Sequence, residues 1–116
     1  MAEFILLLHQ DPGFKTNLAG PEELQAVLKR YKDWRDKLGQ SGHLKGGHKL
    51  VDGTGRVMRS GNGSLSVTDG PFAEAKEVLG GLFILIAENY EEAVAIAGDC
   101  PHLDYGTIEI RQIDRV

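Results

Sequence analysis

The hydrophobic residues of this chain follow two different periods. Residues 4–9 form a continuous apolar run, FILLLH, and residues 81–88 form a second one, GLFILIAE, and both runs predict buried strands. Between them, residues 21–38 carry apolar side chains at helical spacing, with Pro21 at the start and Gly39 beyond the end. This pattern predicts a long amphipathic helix between two central strands.

The remaining elements are shorter. Residues 90–99 have apolar positions at helical spacing, and residues 106–114 alternate as in a half-exposed last strand. Residues 43–50 contain a Gly-Gly pair and predict a strand with a bend or a close backbone approach. Two short strands, at 56–59 and 64–68, flank an Asn-Gly pair that favours a tight hairpin turn.

The predicted order of elements is β-α-β-(hairpin)-β-α-β within a single domain, residues 1–116. It indicates an α+β fold of the ferredoxin-like split βαβ type, with an antiparallel sheet, two helices on one face and a β-hairpin insertion. Two helices leave the other face of the sheet uncovered, although the runs at 4–8 and 82–86 place apolar side chains on both faces. We therefore expect a homodimer in which a second copy covers this face.

Charge and composition exclude several classes of protein. The net charge is -4 and no long Lys/Arg block is present, which disfavours nucleic-acid binding. The N-terminal segment carries Glu3 and its apolar run is too short for a signal core or a membrane span, so a cytoplasmic protein is expected. The single cysteine, Cys100, cannot form an internal disulfide and is predicted to be a small buried side chain on the second helix.

Histidine and aspartate side chains near predicted strand ends are candidates for acid–base chemistry. His9 ends the first strand, and the loop that carries Asp69 is expected to approach the same cleft. A carboxylate beside an imidazole selects its tautomer and raises its basicity. His48, which follows the Gly-Gly pair, is a similar candidate. The alternative for both histidines is a partly buried or solvated side chain that hydrogen-bonds to the backbone or to water.

Tyr31 and Asp69 also have two interpretations. Tyr31 could donate a proton or stabilise an oxyanion, although an ordinary tyrosine pKa of about 10 makes it a poor base at neutral pH. Its alternative is packing in the apolar stripe of the first helix. Asp69 could project into the cleft, or it could only cap a short helix that begins at Pro71.

Metal and cofactor sites are not indicated. The histidines lack the spacing of metal ligands, and a site built from His9, His48 and a carboxylate such as Asp69 or Asp11 is disfavoured against packing or solvated roles. The glycine-rich segments lack the pattern of a phosphate-binding loop. We therefore predict neither a metal nor an organic cofactor.

The segment DGPFAEAKEVLGG, residues 69–81, resembles the DGPF motif of the YCII-related family of small bacterial proteins. The resemblance implies a ferredoxin-like fold that pairs into dimeric α/β barrels, with a cleft that holds small organic substrates. It also implies that some members use a histidine on the first helix together with an aspartate, and that a few eliminate halide from chlorinated aromatic intermediates. This chain departs from that pattern, because Tyr31 occupies the position of the helical histidine, eleven residues before Gly42.

Two functions remain open from the sequence. The first is a cofactor-independent acid–base enzyme, similar to a lyase or isomerase, acting on a small cyclic or carboxylated metabolite in a cleft lined by His9, Tyr31, His48 and Asp69. The second is a non-catalytic dimeric module that binds a ligand or a protein in a regulatory role. The family resemblance supports the second hypothesis as well, because some DGPF proteins are encoded beside alternative sigma factors.

Overall fold

The computed structural model describes residues 1–14, 18–70 and 77–116. The strands are β1 (Ala2–Gln10), β2 (Leu44–Lys49), β3 (Arg56–Gly61), β4 (Ser64–Asp69), β5 (Val78–Ala87) and β6 (Gly106–Gln112). The helices are α1 (Pro21–Ser41) and α2 (Tyr90–Ala97), and a short 3-10 helix (Pro101–Asp104) precedes β6. The predicted α+β class, with two α-helices and antiparallel strands, is confirmed. The short helix expected at Pro71 falls outside the described residues.

The main sheet has the strand order β2-β5-β1-β6, with antiparallel pairing between all neighbours. β1 and β5 are the two central strands, and they pair from Ala2 opposite Ala87 to Gln10 opposite Val78. The ladder shifts register between Leu8 and His9. β5 begins three residues earlier than the apolar run predicted, because its first residues also pair with the end of β1.

The core lies between the helices and one face of this sheet. Alternate β1 side chains point toward the helices and are buried, as are three positions of α1 at helical spacing, Val27, Trp34 and Leu38. Trp34 packs edge to face on Phe83 of β5, with ring centroids 5.2 Å apart. α1 ends at Gly42, whose positive φ of 81° places it in the left-handed conformation typical of a helix C-cap. These contacts hold α1 across the central strands.

The opposite face of the sheet has no helix over it in the described part of the chain. Its central side chains are half-buried and apolar: Ile5, Leu7, Leu82, Ile84 and Ile86. The expectation that β1 and β5 are buried on both faces therefore holds for one face only within the single chain. The apolar residues of the second face are nevertheless contiguous across β1 and β5, because the register places Ile5 opposite Ile84 and Leu7 opposite Leu82.

The predicted hairpin forms a separate two-stranded sheet of β3 and β4. Asn62 and Gly63 both have positive φ, 50° and 77°, which confirms the expected tight turn. One face of the hairpin exposes Met58, Leu65 and Val67. The insertion therefore carries apolar surface beyond the main core.

Cys100 is buried, as predicted, but it does not lie on α2. The helix ends at Ala97, and Cys100 has the extended backbone angles φ -69° and ψ 127°. The following Pro101 explains this difference, because a proline disfavours the helical conformation of the residue before it. Burial raises the pKa of the Cys100 thiol to about 11, so the thiol remains protonated at neutral pH.

Two adjacent glycines of β2 differ in how closely the Phe83 ring of the neighbouring strand approaches them. A Cβ atom at Gly47 would lie 2.6 Å from Cδ1 of Phe83, whereas a Cβ atom at Gly46 would have no atom within 4 Å. We expect Gly47→Ala to reduce the free energy of unfolding by about 1–3 kcal/mol through overpacking. Gly46→Ala, the matched control on the same strand, should change it by less than about 0.5 kcal/mol. Urea denaturation measures both, and equal losses would contradict the close contact with Phe83.

Candidate functional site

A cavity of about 230 Å³ lies between α1 and the helix-covered face of the sheet. Its walls combine apolar side chains with polar groups from four elements. The apolar lining residues are Leu8, Phe14, Leu24, Val27, Leu28 and Phe83, and the polar ones are Gln10, Tyr31, Lys32, Arg35, His48, Lys49 and His102. An apolar pocket with a few convergent polar groups is typical of a small-molecule site, and a volume below the usual range of about 300–1,000 Å³ suits a ligand with one ring.

Two glycines let neighbouring side chains lie close to the backbone in the cavity wall. Gly80 of β5 is buried beside the Gln10 side chain, and a Cβ atom at Gly80 would overlap the Gln10 amide. Gly47 faces the ring of Phe83 across the ladder between β2 and β5. Gly47 of the Gly-Gly pair therefore provides the close approach expected from the sequence, and Gly80 leaves space for the Gln10 side chain in the cavity wall.

Tyr31 and His102 form the closest polar pair in the cavity wall. The Tyr31 hydroxyl oxygen lies 2.8 Å from His102 Nδ1, and His102 Nε2 lies 2.8 Å from the carbonyl oxygen of His9. Because a carbonyl oxygen only accepts hydrogen bonds, His102 Nε2 must carry the hydrogen that it donates. In the neutral imidazole, Nδ1 is then the acceptor, and the Tyr31 hydroxyl donates to it. The His9 carbonyl thus assigns the tautomer of His102.

Burial keeps both members of this pair uncharged. His102 is 1% exposed, and desolvation lowers its pKa below the ordinary histidine value. Desolvation also raises the pKa of Tyr31 well above its ordinary value. Since the Tyr31 hydroxyl donates its hydrogen to His102, its oxygen lone pairs remain for a donor group of a ligand. Tyr31 also packs against the core, so both positions considered for it from the sequence, core and cleft, are observed.

His9 lies near the end of β1, as predicted, but its side chain lies on the face of the sheet opposite the cavity. Its Nε2 atom is 3.1 Å from Oε1 of Glu109, a β6 residue that pairs with Leu7. His9 therefore acts on the cavity wall through its carbonyl oxygen, which accepts a hydrogen bond from the lining residue His102. The histidine–carboxylate contact that we expected with Asp69 is made with Glu109.

His48 and Asp69 lie farther from the Tyr31–His102 pair. His48 borders the cavity mouth, but it pairs with Leu82 one residue after Gly47, and strand alternation turns its side chain toward the uncovered face. Asp69 ends β4, where its carboxylate is 92% exposed and lies 3.3 Å from Nη1 of Arg56. The chain therefore does not bring the four predicted residues into one cleft.

Sequence reasoning missed five polar residues that line the cavity: Gln10, Lys32, Arg35, Lys49 and His102. His102 is 71 residues from Tyr31 in the chain and lies in a short 3-10 helix without a local motif. Gln10 belongs to the polar residues that end the first predicted strand, and Arg35 stands beside Trp34 in the helical spacing of the first predicted helix. For Arg35, a signal was present, since it lies four residues after Tyr31 and thus on the same face of the helix.

Neither a metal site nor a membrane-spanning helix is found within residues 1–14, 18–70 and 77–116. No group of three or more His, Cys, Asp or Glu side chains in these ranges is arranged to hold a metal ion. Over the same residues, no helix is both long and apolar enough to cross a membrane.

The sheet order, the helices on one face and the cavity beneath α1 define a ferredoxin-like α+β protein. The chain belongs to the YCII-related domain family, whose model matches residues 2–116, and this confirms the resemblance seen in the DGPF segment. A solved structure with a similar fold is the 5-chloro-2-hydroxyhydroquinone dehydrochlorinase TftG from Burkholderia phenoliruptrix AC1100, in complex with 2,5-dihydroxybenzoquinone. The likeness covers 98% of this chain and 95% of that chain, with a TM-score of 0.55 and 11% identity. No curated protein matches this sequence.

The buried neutral state of His102 predicts how stability depends on pH. Its pKa is lowered from 6.5 in the folded protein, so below about pH 6.5 the unfolded chain binds a proton that the folded chain does not. This group therefore contributes a loss of stability as the pH falls from 7 to 5, with a slope of at most about 1.4 kcal/mol per pH unit. In His102→Gln this part of the slope should disappear.

Urea denaturation of the wild type and of His102→Gln at several pH values between 5 and 8 measures the difference. His48→Gln is the matched control, because it replaces an exposed histidine. It should keep the slope of the wild type. An unchanged slope in His102→Gln would show that His102 is not held neutral by burial.

Proposed function

We propose that the cavity beneath α1 binds a small cyclic metabolite and that the Tyr31–His102 pair transfers a proton to or from it, without an organic cofactor. The observation that carries this proposal is the 2.8 Å hydrogen bond from the Tyr31 hydroxyl to His102 Nδ1 in the cavity wall. Both residues line the cavity, and the hydroxyl oxygen is the atom of the pair whose lone pairs remain for a ligand. The His9 carbonyl holds the imidazole in the tautomer that can accept a proton.

The proton path has two coupled steps. A ligand hydroxyl gives its proton to the Tyr31 oxygen as the Tyr31 proton moves to Nδ1 of His102, and the reverse transfer returns it. The ligand then carries the negative charge and His102 the positive charge, while Nε2 keeps its hydrogen bond to the His9 carbonyl. Because the pKa of His102 is lowered, the imidazole is in the accepting form at neutral pH.

Family membership supports this assignment of roles. The resemblance implies an acid–base histidine on the first helix, and in this chain Tyr31 stands at that position while His102 of the 3-10 helix supplies the imidazole. The ligand in the TftG structure, 2,5-dihydroxybenzoquinone, has a single ring, and a cavity of about 230 Å³ suits a compound of that size. A lyase-like or isomerase-like proton transfer is therefore the best-supported chemistry.

The four candidate residues predicted from the sequence have different roles. Tyr31 contacts the ligand directly. His9 is a positioning residue that acts through its carbonyl on His102, and His48 contributes to the cavity mouth. Asp69 lies beside Arg56 in the hairpin. The variant Asp69→Asn removes its charge with little change in shape and tests its role separately.

A non-catalytic ligand-binding protein is the second candidate function. Burial raises the pKa of Tyr31 and lowers that of His102, so the neutral pair is favoured over the charge-separated one. A hydrogen-bonding site without proton transfer would have this same property. Turnover of a bound ligand distinguishes the two functions.

We also propose that the protein is a homodimer formed through the uncovered face of the sheet. The five apolar side chains at the centre of this face form one contiguous patch, and a Glu3–Lys45 ion pair of 2.7 Å lies at its edge. A second copy of the same sheet would bury this patch, in agreement with the dimeric barrels that the family resemblance implies.

A thermal-shift screen against cyclic carboxylates, hydroxylated and chlorinated aromatics and benzoquinones tests the proposed site. A ligand that binds the native state at 100 times its Kd stabilises it by about 2.7 kcal/mol and raises the melting temperature. Tyr31→Phe should abolish turnover of the ligand, followed by NMR of the substrate, because it removes the hydroxyl and keeps the ring. The matched control is Tyr105→Phe, whose hydroxyl binds Arg30 and does not line the cavity.

Turnover that survives in Tyr31→Phe would contradict the proton path. A ligand that binds the wild type without any conversion would favour the non-catalytic function. If no compound of these classes shifts the melting temperature, the cavity is not a site for small cyclic metabolites.

Light scattering tests the dimer. The wild type should have twice the 12.7 kDa mass of the chain. Ile84→Asp should halve the measured mass, because it places a charge at the centre of the apolar patch, while its circular dichroism spectrum shows that it remains folded. Val94→Asp, on the exposed side of α2, is the control and should remain dimeric. A wild-type species of 12.7 kDa at micromolar concentration would refute the dimer.

A further inference from the structure

We infer that the ligand of this cavity is a monocyclic carboxylate, that Arg35 binds its carboxylate, and that the amide of Gln10 binds a second polar substituent. This inference rests on the proposed function and names the ligand class of the same site. It is carried by the charge of the cavity lining and by two polar side chains that have no partner among the residues that the structure describes.

The charge of the cavity lining is opposite to that of the whole protein. The chain has a net charge of -4, yet the described residues around the cavity include three cations, Lys32, Arg35 and Lys49, and no Asp or Glu. A cleft lined by charges of one sign attracts ligands of the other sign. Lys32 and Lys49 each pair with an aspartate just outside the lining, so the uncompensated positive charge at the cavity is that of Arg35, and it favours an anion.

Arg35 is the cation of this group that is available to a ligand. Lys32 is bonded to Asp36 at 2.8 Å, and Lys49 is bonded to Asp52 at 2.8 Å. Arg35, in contrast, makes no ion pair or hydrogen bond with any residue in the described ranges. Its guanidinium can present two parallel N–H groups to a carboxylate, which a lysine cannot do.

Gln10 provides the second unpartnered group. The residue is 6% exposed and lines the cavity, and within the described chain its side-chain amide has no hydrogen-bond partner. Polar groups of this kind are normally satisfied by protein, water or ligand, so a water or a ligand in the cavity supplies the partner of the Gln10 amide. The amide can both donate and accept, and it therefore suits a hydroxyl or a carbonyl substituent of the ring.

The positions of these groups define the shape of the ligand. Arg35 lies one helical turn after Tyr31 on the same face of α1, and residues at this spacing have Cβ atoms about 5–6 Å apart. Gln10 lies across the cavity, at the end of β1. The apolar walls, which include Phe14 and Phe83, surround the space between them. A single ring with a carboxylate for Arg35 and a hydroxyl at another position, which donates to the Tyr31 oxygen and accepts from the Gln10 amide, satisfies all three polar groups.

Isothermal titration with a matched pair of compounds, 4-hydroxybenzoate and 4-hydroxybenzamide, tests this assignment. The two compounds have nearly the same shape, and only the first carries a charge. We expect the wild type to bind the benzoate at least about tenfold more tightly, in the range of a charge-assisted hydrogen bond. Arg35→Gln should remove this preference and leave the affinity for the benzamide unchanged. Lys37→Gln, an exposed lysine of the same helix outside the cavity lining, is the control and should keep it.

A second variant tests the amide of Gln10. Gln10→Leu should reduce the preference for 4-hydroxybenzoate over benzoate at least about fivefold, because it removes the partner of the hydroxyl. Leu24→Trp, which fills the cavity, should abolish binding of all these compounds and so locates them in it.

The outcomes separate this inference from the proposed function. Equal binding of the benzoate and the benzamide, or an Arg35→Gln variant that keeps the wild-type preference, would overturn the carboxylate assignment and leave the cavity as a site for a neutral ring. If the benzoate and the benzamide fail to bind while another cyclic compound shifts the melting temperature, the inference is also wrong, although the proposed function stands. If no cyclic compound binds, both are wrong.

Discussion

The antiparallel pairing of β1 with β5 is the constraint on which the rest of the structure depends. This ladder joins the two most apolar segments of the chain, and its register places their bulky side chains alternately on two faces. The two α-helices can cover only one of these faces, which becomes the core beneath Trp34 and Leu38. The other face is left with a contiguous apolar patch. The cavity and the proposed dimer surface are therefore opposite sides of one ladder.

His102 links these two sides through the end of β1. Its imidazole binds the Tyr31 hydroxyl in the cavity and the carbonyl of His9, whose own side chain lies on the opposite face with Glu109. The shift of register between Leu8 and His9 lies one peptide before this carbonyl. The chemistry proposed for the cavity depends on a backbone atom that the sheet holds in place.

The fold was predicted far better than the site, and particular residues show why. The helical spacing that contains Val27, Tyr31 and Trp34 is a local property, and so is the Asn62-Gly63 turn, because each depends on residues close together in the chain. The pairing of Tyr31 with His102 spans 71 residues and has no local pattern. His9 was a reasonable candidate as a histidine at a strand end, but side-chain alternation in the sheet points it away from the cavity.

By itself, the sequence determined the α+β class, the order of the elements, the family and the presence of an apolar sheet face without a helix to cover it. These follow from the spacing of apolar residues, from turn chemistry and from the DGPF segment, and each of these features can be recognised within a short stretch of sequence. Only the tertiary structure decided which polar groups meet. The reason is that strand register and helix packing set the distances between residues that are far apart in the chain, such as Gln10, Tyr31, Arg35 and His102. These distances cannot be predicted from the spacing of neighbouring residues.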